Sequence, residues 1–350
     1  MNTKTIITGG LVSLLAINNV AKLVVIRDLD RKIATDEQVA TAVIEKPAEE
    51  VIHTDMITEE LPWIQDLKEA DVLVEGECPN GLHYTLYTSG LMTITGKGEM
   101  ADTANTAPWA DYRYEIRSVV IEEGITSVGS HAFADYPTLL SVQIPNTVTR
   151  IGDNAFSGCT ALTSVTLPEA VDTIGYRAFF GCYNLAEINL PSHVSFIDMG
   201  AFGSCTSLTT VVIPDGVEKI ADSTFMNCTS LSSVRIPASV KEISFSAFRN
   251  CGALTSVEIP ASVEKFNNYA FARSGITSIT INEGAALIGA YCFDTCRDLQ
   301  SVSIPHSVTE IGTGCFDECQ NLKDIYYAGT QEEWDALNVI VPEGTVVHTN

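Results

Sequence analysis

From Ile116 onward the apolar residues fall into a fixed phrase, neither a helical period nor a simple alternation. Its clearest copy runs from Leu162 to Pro168 (LTSVTLP), followed by a V-x-x-I step at Val171 to Ile174, a glycine at Gly175, the pair Ala178-Phe179 and a cysteine at Cys182. Further copies begin at Leu139, Leu185, Leu208, Leu231, Leu254 and Leu299. The phenylalanines give the period. Phe133, Phe156, Phe179, Phe202, Phe225, Phe248 and Phe271 are each 23 residues apart, Phe293 follows after 22 and Phe316 after 23. A period of this length marks a solenoid: each unit offers one apolar stripe with no opposing layer, so it is stable only against its neighbours.

Within the phrase, Leu162, Val165 and Leu167 are inward positions on a short strand favoured by its β-branched residues. Pro168 ends that strand, because proline has no donor for a ladder. Val171 to Ile174 is a second extended piece, Gly175 a tight turn, and Ala178 with Phe179 a small-large pair that fills the interior. The fold class is therefore mainly β, a parallel-stranded solenoid of 23-residue repeats. Parallel strands stack about 4.8 Å apart, so nine to ten coils would span on the order of 45 Å.

The flanks read differently. LHYTLYT and LMTITG alternate apolar and polar residues around Ser89-Gly90, which predicts a β-hairpin capping the open N-terminal end. At the other end LKDIYY (322–327) reads as the last coil. Trp334 and Leu337, three apart in AGTQEEWDAL, suit a brief amphipathic helix, and VIVPEGTVVHT is extended. Residues 1–26 begin with Lys4 and IITGGLVSLLAI, which suits a signal peptide, a retained membrane anchor from Ile6 to Ile26, or an amphipathic helix. The chain then divides into 1–26 as signal peptide or N-terminal membrane anchor, 27–76 as an acidic spacer with weak helical character near Leu61 to Leu73, 77–115 as the N-terminal β cap, 116–322 as the repeats and 323–350 as the C-terminal cap.

Charge narrows the partners. Lys and Arg number 20 against 44 Asp and Glu, a formal net charge of −24, which argues against nucleic acid or an anionic membrane surface. The ten cysteines reduce mostly to one repeat position, since Cys159, Cys182, Cys205, Cys228 and Cys251 are 23 apart. Parallel side chains on adjacent coils keep their Cβ atoms near 4.8 Å, wider than the roughly 3.5–4.5 Å of a disulfide, so these are buried thiols. Cys292, Cys296, Cys315 and Cys319 form two C-x-x-x-C pairs one coil apart, a grouping that zinc would accept; equally, Cys292 and Cys315 stand for the alanine of the Ala-Phe pair, a small residue exchanged for another small buried one. No cofactor is expected. His53, His83, His131, His193, His306 and His348 share no repeat phase in adjacent coils and point to no nucleophilic triad.

What remains is surface. The outward strand position gives a variable ladder, Val120, Gln143, Thr166, Asn189, Val212, Arg235, Glu258, Thr280 and Ser303, of which Gln143 to Ser303 are the ligand-face candidates. The outward position before it is nearly all hydroxyl, running Ser118, Ser141, Ser164, Glu187, Thr210, Ser233, Ser256, Ser278 and Ser301. A defect stands at Arg273-Ser274-Gly275, where the coil is one residue short, Ser274 occupies the cysteine position, Phe266 replaces Ile and Asn282 replaces Pro.

The unit LTSVTLPEAVDTIGYRAFFGC resembles the 23-residue repeat of the BspA-like leucine-rich repeat proteins. The approach segment LMTITGKGEM…APWADYRYEIRSVVIEEGITSVG and the ending DIYYAGTQEEWDAL are similar to the flanks of that family. The resemblance covers roughly 77–337 and implies a curved parallel-β solenoid on a secreted or cell-surface protein used in adhesion, with no catalytic residues to carry over. The expectation is a non-enzymatic module that binds an extracellular or cell-surface protein or glycan, with no nucleic-acid partner and with the N-terminal segment as a candidate membrane anchor. The alternative is a structural spacer or surface-layer component without a dedicated ligand.

Overall fold

The computed structural model describes residues 71–104 and 106–350. The segment 1–26, most of the acidic spacer and His53 lie outside the described residues. Among those described, no helix is long and apolar enough to cross a membrane.

The chain enters as an antiparallel meander of three strands, β1 (Val72–Glu77), β2 (His83–Tyr87) and β3 (Leu91–Thr95). The hairpin from β2 to β3 stands where the alternation predicted it. β1 corrects the boundary of the spacer. Val72–Glu77 alternates exposed and half-buried residues and pairs with β2, so these residues belong to the cap and not to an acidic, weakly helical linker. β3 then pairs in parallel with Ser118–Ile121, Leu91 opposite Ser118, which turns the hairpin into the first rung of the solenoid.

Most coils contribute the two short strands of the phrase, and where neighbouring strands pair, equivalent residues lie in register. Ser164 lies opposite Glu187 and Thr166 opposite Asn189 on the first strand; Ile151, Ile174 and Ile197 line up on the second. A residue in the left-handed region precedes the Ala-Phe pair in most coils (Arg177 φ 50°, Tyr269 φ 59°), bending the chain back toward the interior. The preceding glycine is obligatory where coils stack most tightly: a Cβ on Gly175 would lie 2.8 Å from the Asp153 amide nitrogen.

The core is a column of rings. Phe133 to Phe316 are fully buried and stack face to face, neighbouring centroids 5.3–5.9 Å apart and planes within 13°. Trp109 closes the column at the front, stacked 5.6 Å from Phe133 with its indole N–H donating to the Ala132 carbonyl at 2.9 Å. At the rear the helix α1 (Gln331–Leu337) carries Trp334 against Tyr327. Thr330 and Glu333 form a reciprocal capping box at its start, and Asn338 in the left-handed conformation ends it.

The cysteines run beside the ring column. Each of Cys159, Cys182, Cys205, Cys228 and Cys251 donates its thiol to the phenylalanine carbonyl of the coil before, at 3.1–3.2 Å, and no cysteine among the described residues is bonded to another. Tyr136 holds the same position in the first coil. A second tie lies two residues after four of the phrase-ending prolines, where a hydroxyl reaches the preceding coil: Thr147 to the Ile125 carbonyl, Ser239 to Val217, Ser262 to Val240 and Ser307 to Ala285, at 2.7–2.8 Å.

Two irregularities interrupt the stack. At the short coil, Ile276 takes the buried leucine position and Asn282 replaces the proline by donating to the Ile259 carbonyl, while residues 256–258 form no strand. The column persists there, Phe271 to Phe293 at 5.9 Å. The other irregularity is a seam. Glu187–Asn189 does not pair with Thr210–Val212, nor Phe196–Ile197 with Lys219–Ile220, so both strand ladders stop between the same two coils. What joins them are the backbone bonds Gly200 to Asp222, Phe202 to Thr224, Ser204 to Met226, Ser207 to Tyr183 and Thr209 to Ala186, the Thr206 and Thr209 hydroxyls on the Tyr183 and Ala186 carbonyls, the Cys228 thiol on the Phe202 carbonyl, and the Phe202–Phe225 stack at 5.7 Å.

Candidate binding surface

The strand ladder takes the place its period assigned. Gln143, Thr166, Asn189, Val212, Arg235, Glu258 and Thr280 are all exposed. Ser303 is half-buried next to its register neighbour Tyr326. Val120, at the head of the ladder, is buried between Thr93 and Gln143 in the parallel pairing that joins the cap, and so falls outside the face. In-register pairing sets Thr166 beside Asn189, Val212 beside Arg235 and Thr280 beside Ser303; a break between Ser141–Gln143 and Ser164–Thr166, the seam and the unstranded 256–258 segment divide the face into shorter blocks. Arg235 turns toward Asp215, with both terminal nitrogens 3.4 Å from Asp215 Oδ1. The hydroxyl ladder is not uniformly solvated: Ser141 and Ser164 are buried, with the Ser141 and Ser118 hydroxyls 3.1 Å apart.

The cysteine group is internal. Cys292, Cys296, Cys315 and Cys319 are buried, and burial pushes each thiol upward, Cys296 to about 11, away from the thiolate that a metal requires. Cys296 and Cys319 donate to the Phe271 and Phe293 carbonyls at 3.1 and 3.0 Å. Among the described residues no group of three or more His, Cys, Asp and Glu could hold a metal ion. Four of the histidines lie beside carboxylates at the surface: His83 by Glu75, His193 by Glu169, His306 by Glu333 and His348 by Asp324. A shallow cleft of about 260 Å³ between Phe316–Gln320 and Ile340–Pro342 carries Asp317 and Glu318 on its wall.

A second surface escaped the strand-based reading. It lies at the corner between the second strand and the Ala-Phe pair, where Arg177 stacks on Tyr176 and Phe180 (guanidinium carbon 5.1 and 4.8 Å from the ring centres) and Arg249 stacks on Tyr269 at 5.2 Å. Tyr269 in turn stacks on Tyr291 at 5.0 Å and meets Phe245 edge-on at 5.7 Å. The signal for it was the variable residues flanking the Ala-Phe pair, positions that a search for alternation passes over.

Set against known proteins, the chain matches the profile of the BspA type leucine rich repeat region over residues 111–232 and 218–336, with six copies. Comparison with curated protein sequences gave no significant match. Among solved structures, a leucine-rich repeat protein from Bacteroides ovatus is similar at 23% identity and TM-score 0.58, with 77% of each chain covered. A leucine-rich repeat protein from Eubacterium ventriosum is similar at 20% identity and TM-score 0.47, covering 79% of this chain and 84% of that one. The profile match spans well over half of the sequence: the chain belongs to the BspA type leucine-rich repeat family.

Proposed function

We propose that this protein is a non-enzymatic binding or adhesion module, secreted or held at the cell surface, which contacts an extracellular protein or glycan through the exposed strand ladder from Gln143 to Ser303. The supporting observation is the contrast between a constant interior and a varied surface. Phe133 to Phe316 and the strand leucines are buried coil after coil, while the ladder beside them carries Gln, Thr, Asn, Val, Arg, Glu and Ser. A rigid scaffold with a tunable row of side chains suits multivalent contact along its length.

Two measurements test this. Fractionation of the producing cell, with intact-mass analysis of each fraction, should find the protein outside the cell or at its surface; an intact soluble cytosolic protein would discard the location. Captured surface ligands should then bind the triple variant Val212→Ala, Arg235→Gln, Glu258→Gln at least tenfold more weakly, with an unchanged circular dichroism spectrum. Unchanged binding would discard this face. The spacer reading draws on Val346–His348, which pairs on one side only among the described residues and so offers a strand edge to another molecule. It predicts concentration-dependent self-association by sedimentation and no captured ligand.

A further inference from the structure

We propose that the corner carrying Tyr176, Arg177, Phe180, Phe245, Arg249 and Tyr269 is a second contact surface, built to receive an acidic polypeptide segment laid along the solenoid axis. The proposal rests on the reading of the protein as a binding module, and adds a site and a partner chemistry to it.

The first argument is electrostatic. Of the arginines among the described residues, Arg235 pairs with Asp215 and Arg150 approaches Asp153, and the others form no ion pair. Arg177 and Arg249 make no ion pair among the described residues and are held by aromatic rings instead. A guanidinium stacked flat on a ring keeps its in-plane N–H donors directed outward, where they fit a carboxylate in bidentate fashion. The ordering of the side chain is already accomplished by the stack, so less is lost when an anion arrives.

The second argument is geometric. Phe180 leans over glycines of the following coil, since a Cβ on Gly203 would fall 2.8 Å from its ring, and Arg177 packs over Gly200 in the same way. Tyr269 and Tyr291 stack within 9° of parallel, so the second cluster presents ring edges, which carry the positive end of the aromatic quadrupole. Exposed apolar surface adjoins both clusters: Phe196 and Met199 at the first, Phe245 at the second. Tyrosine, phenylalanine, methionine and arginine together make the composition found at the centre of protein–protein contacts, which favours a polypeptide over a sugar.

The third argument is spacing. Tyr176 and Phe245 occupy the same repeat position three coils apart, and the ring centroids of the core column between them are 5.5–5.7 Å apart from coil to coil. An extended chain advances about 3.3 Å per residue, so the two clusters match side chains roughly five residues apart. Asp222 stands between the clusters at the same repeat position and is engaged by the Phe245 amide at 3.2 Å. It repels an acid placed midway, and so favours acids over each cluster with a neutral stretch between.

The test is fluorescence anisotropy with the full chain at 150 mM salt, where repulsion from the distant carboxylates is screened within about 8 Å. The probes are a labelled 15-residue peptide of alternating glutamate and serine, its glutamine–serine counterpart, and a hyaluronan oligosaccharide as carboxylated glycan. The glutamate peptide should bind at least tenfold more tightly than the other two. Arg177→Gln and Arg249→Gln should each weaken it several-fold and the double variant more than tenfold, while Arg297→Gln, an exposed arginine on neither surface, leaves it unchanged. Equal binding of the two peptides, preference for hyaluronan, or a double variant that binds like the parent would overturn the proposal. Ligand capture that depends on the strand ladder would survive that result, so failure here and failure of the proposed function are separable.

Discussion

Replacing Phe225 with alanine should convert one unfolding transition into two. Phe225 is fully buried, with its ring 5.7 Å from Phe202 and 5.5 Å from Phe248. Truncating a buried phenylalanine costs about 3–5 kcal/mol, and the two lost stacks, each worth about 0.5–1.5 kcal/mol beyond area, place this one near the upper end. Location then decides the form of the response. Both strand ladders are interrupted between the Phe202 coil and the Phe225 coil, so the ring stack carries a larger share of the coupling there than elsewhere. In an array held by nearest-neighbour contacts, weakening one junction lets the two sides unfold separately. Phe156→Ala is the control, because Arg150–Ile151 remains hydrogen-bonded to the second strands on both sides of it. The assay is urea unfolding at equilibrium, read from Trp109 and Trp334 in separate single-tryptophan backgrounds that report the front and rear of the solenoid. Phe225→Ala should separate the two midpoints; Phe156→Ala should lower both together. Coincident midpoints in Phe225→Ala, or a loss below about 1 kcal/mol, would refute the reading of that junction as the weak point.

Two further expectations concern pH. Burial raises the ladder thiols, Cys228 to about 12, so the folded state holds protons that the unfolded chain releases above about pH 8.5; stability is therefore complete below that value and falls as pH rises. Urea midpoints at pH 7 and pH 10 should differ in that direction, and equal midpoints would contradict the burial of the ladder. Glu242 runs the other way. Burial opposes its ionisation, but Lys219 at 2.9 Å, with Ser244 and Asn267, holds its carboxyl below the ordinary range, so its contribution is present above about pH 4.3 and is lost as pH falls through the folded value. Glu242→Gln should flatten the acid limb of the stability profile while changing pH 7 stability by no more than about 1 kcal/mol, and an unchanged acid limb would remove Glu242 from that account.

The periodic residues were legible because each obeys one constraint repeated many times. Phe156 and Cys182 must be buried wherever the coil closes, so their spacing alone assigns them to the interior. β1 was not legible, since VLVEGE reads as the end of an acidic stretch until its partner is known: the half-buried side of Val74 and Gly76 is created by packing against β2. The seam was also hidden. The coil from Leu185 keeps the phrase, and its one evident departure, Asp198 in place of glycine, leaves the Asp198 amide bonded to Ile174 on the near side; the missing bonds fall on the far side, toward Ala221.

The surfaces divide along the same line. A strand position faces outward because alternation compels it, so the ladder from Gln143 to Thr280 follows from register, whatever residues occupy it. A turn position is freer: beside the Ala-Phe pair the fold asks only for a tolerable φ and room over the next coil, and glycine at Gly200, Gly203 and Gly314 supplies that room. Bulky rings placed there are not required by the coil, which closes equally well around Ser223 or Gly314. Tyr176, Phe180, Tyr269 and Tyr291 therefore carry information that the repeat does not explain, and Arg177 and Arg249 are stacked on three of these rings. On that reasoning the strand ladder is the surface the fold supplies, and the corner is the surface this particular sequence adds.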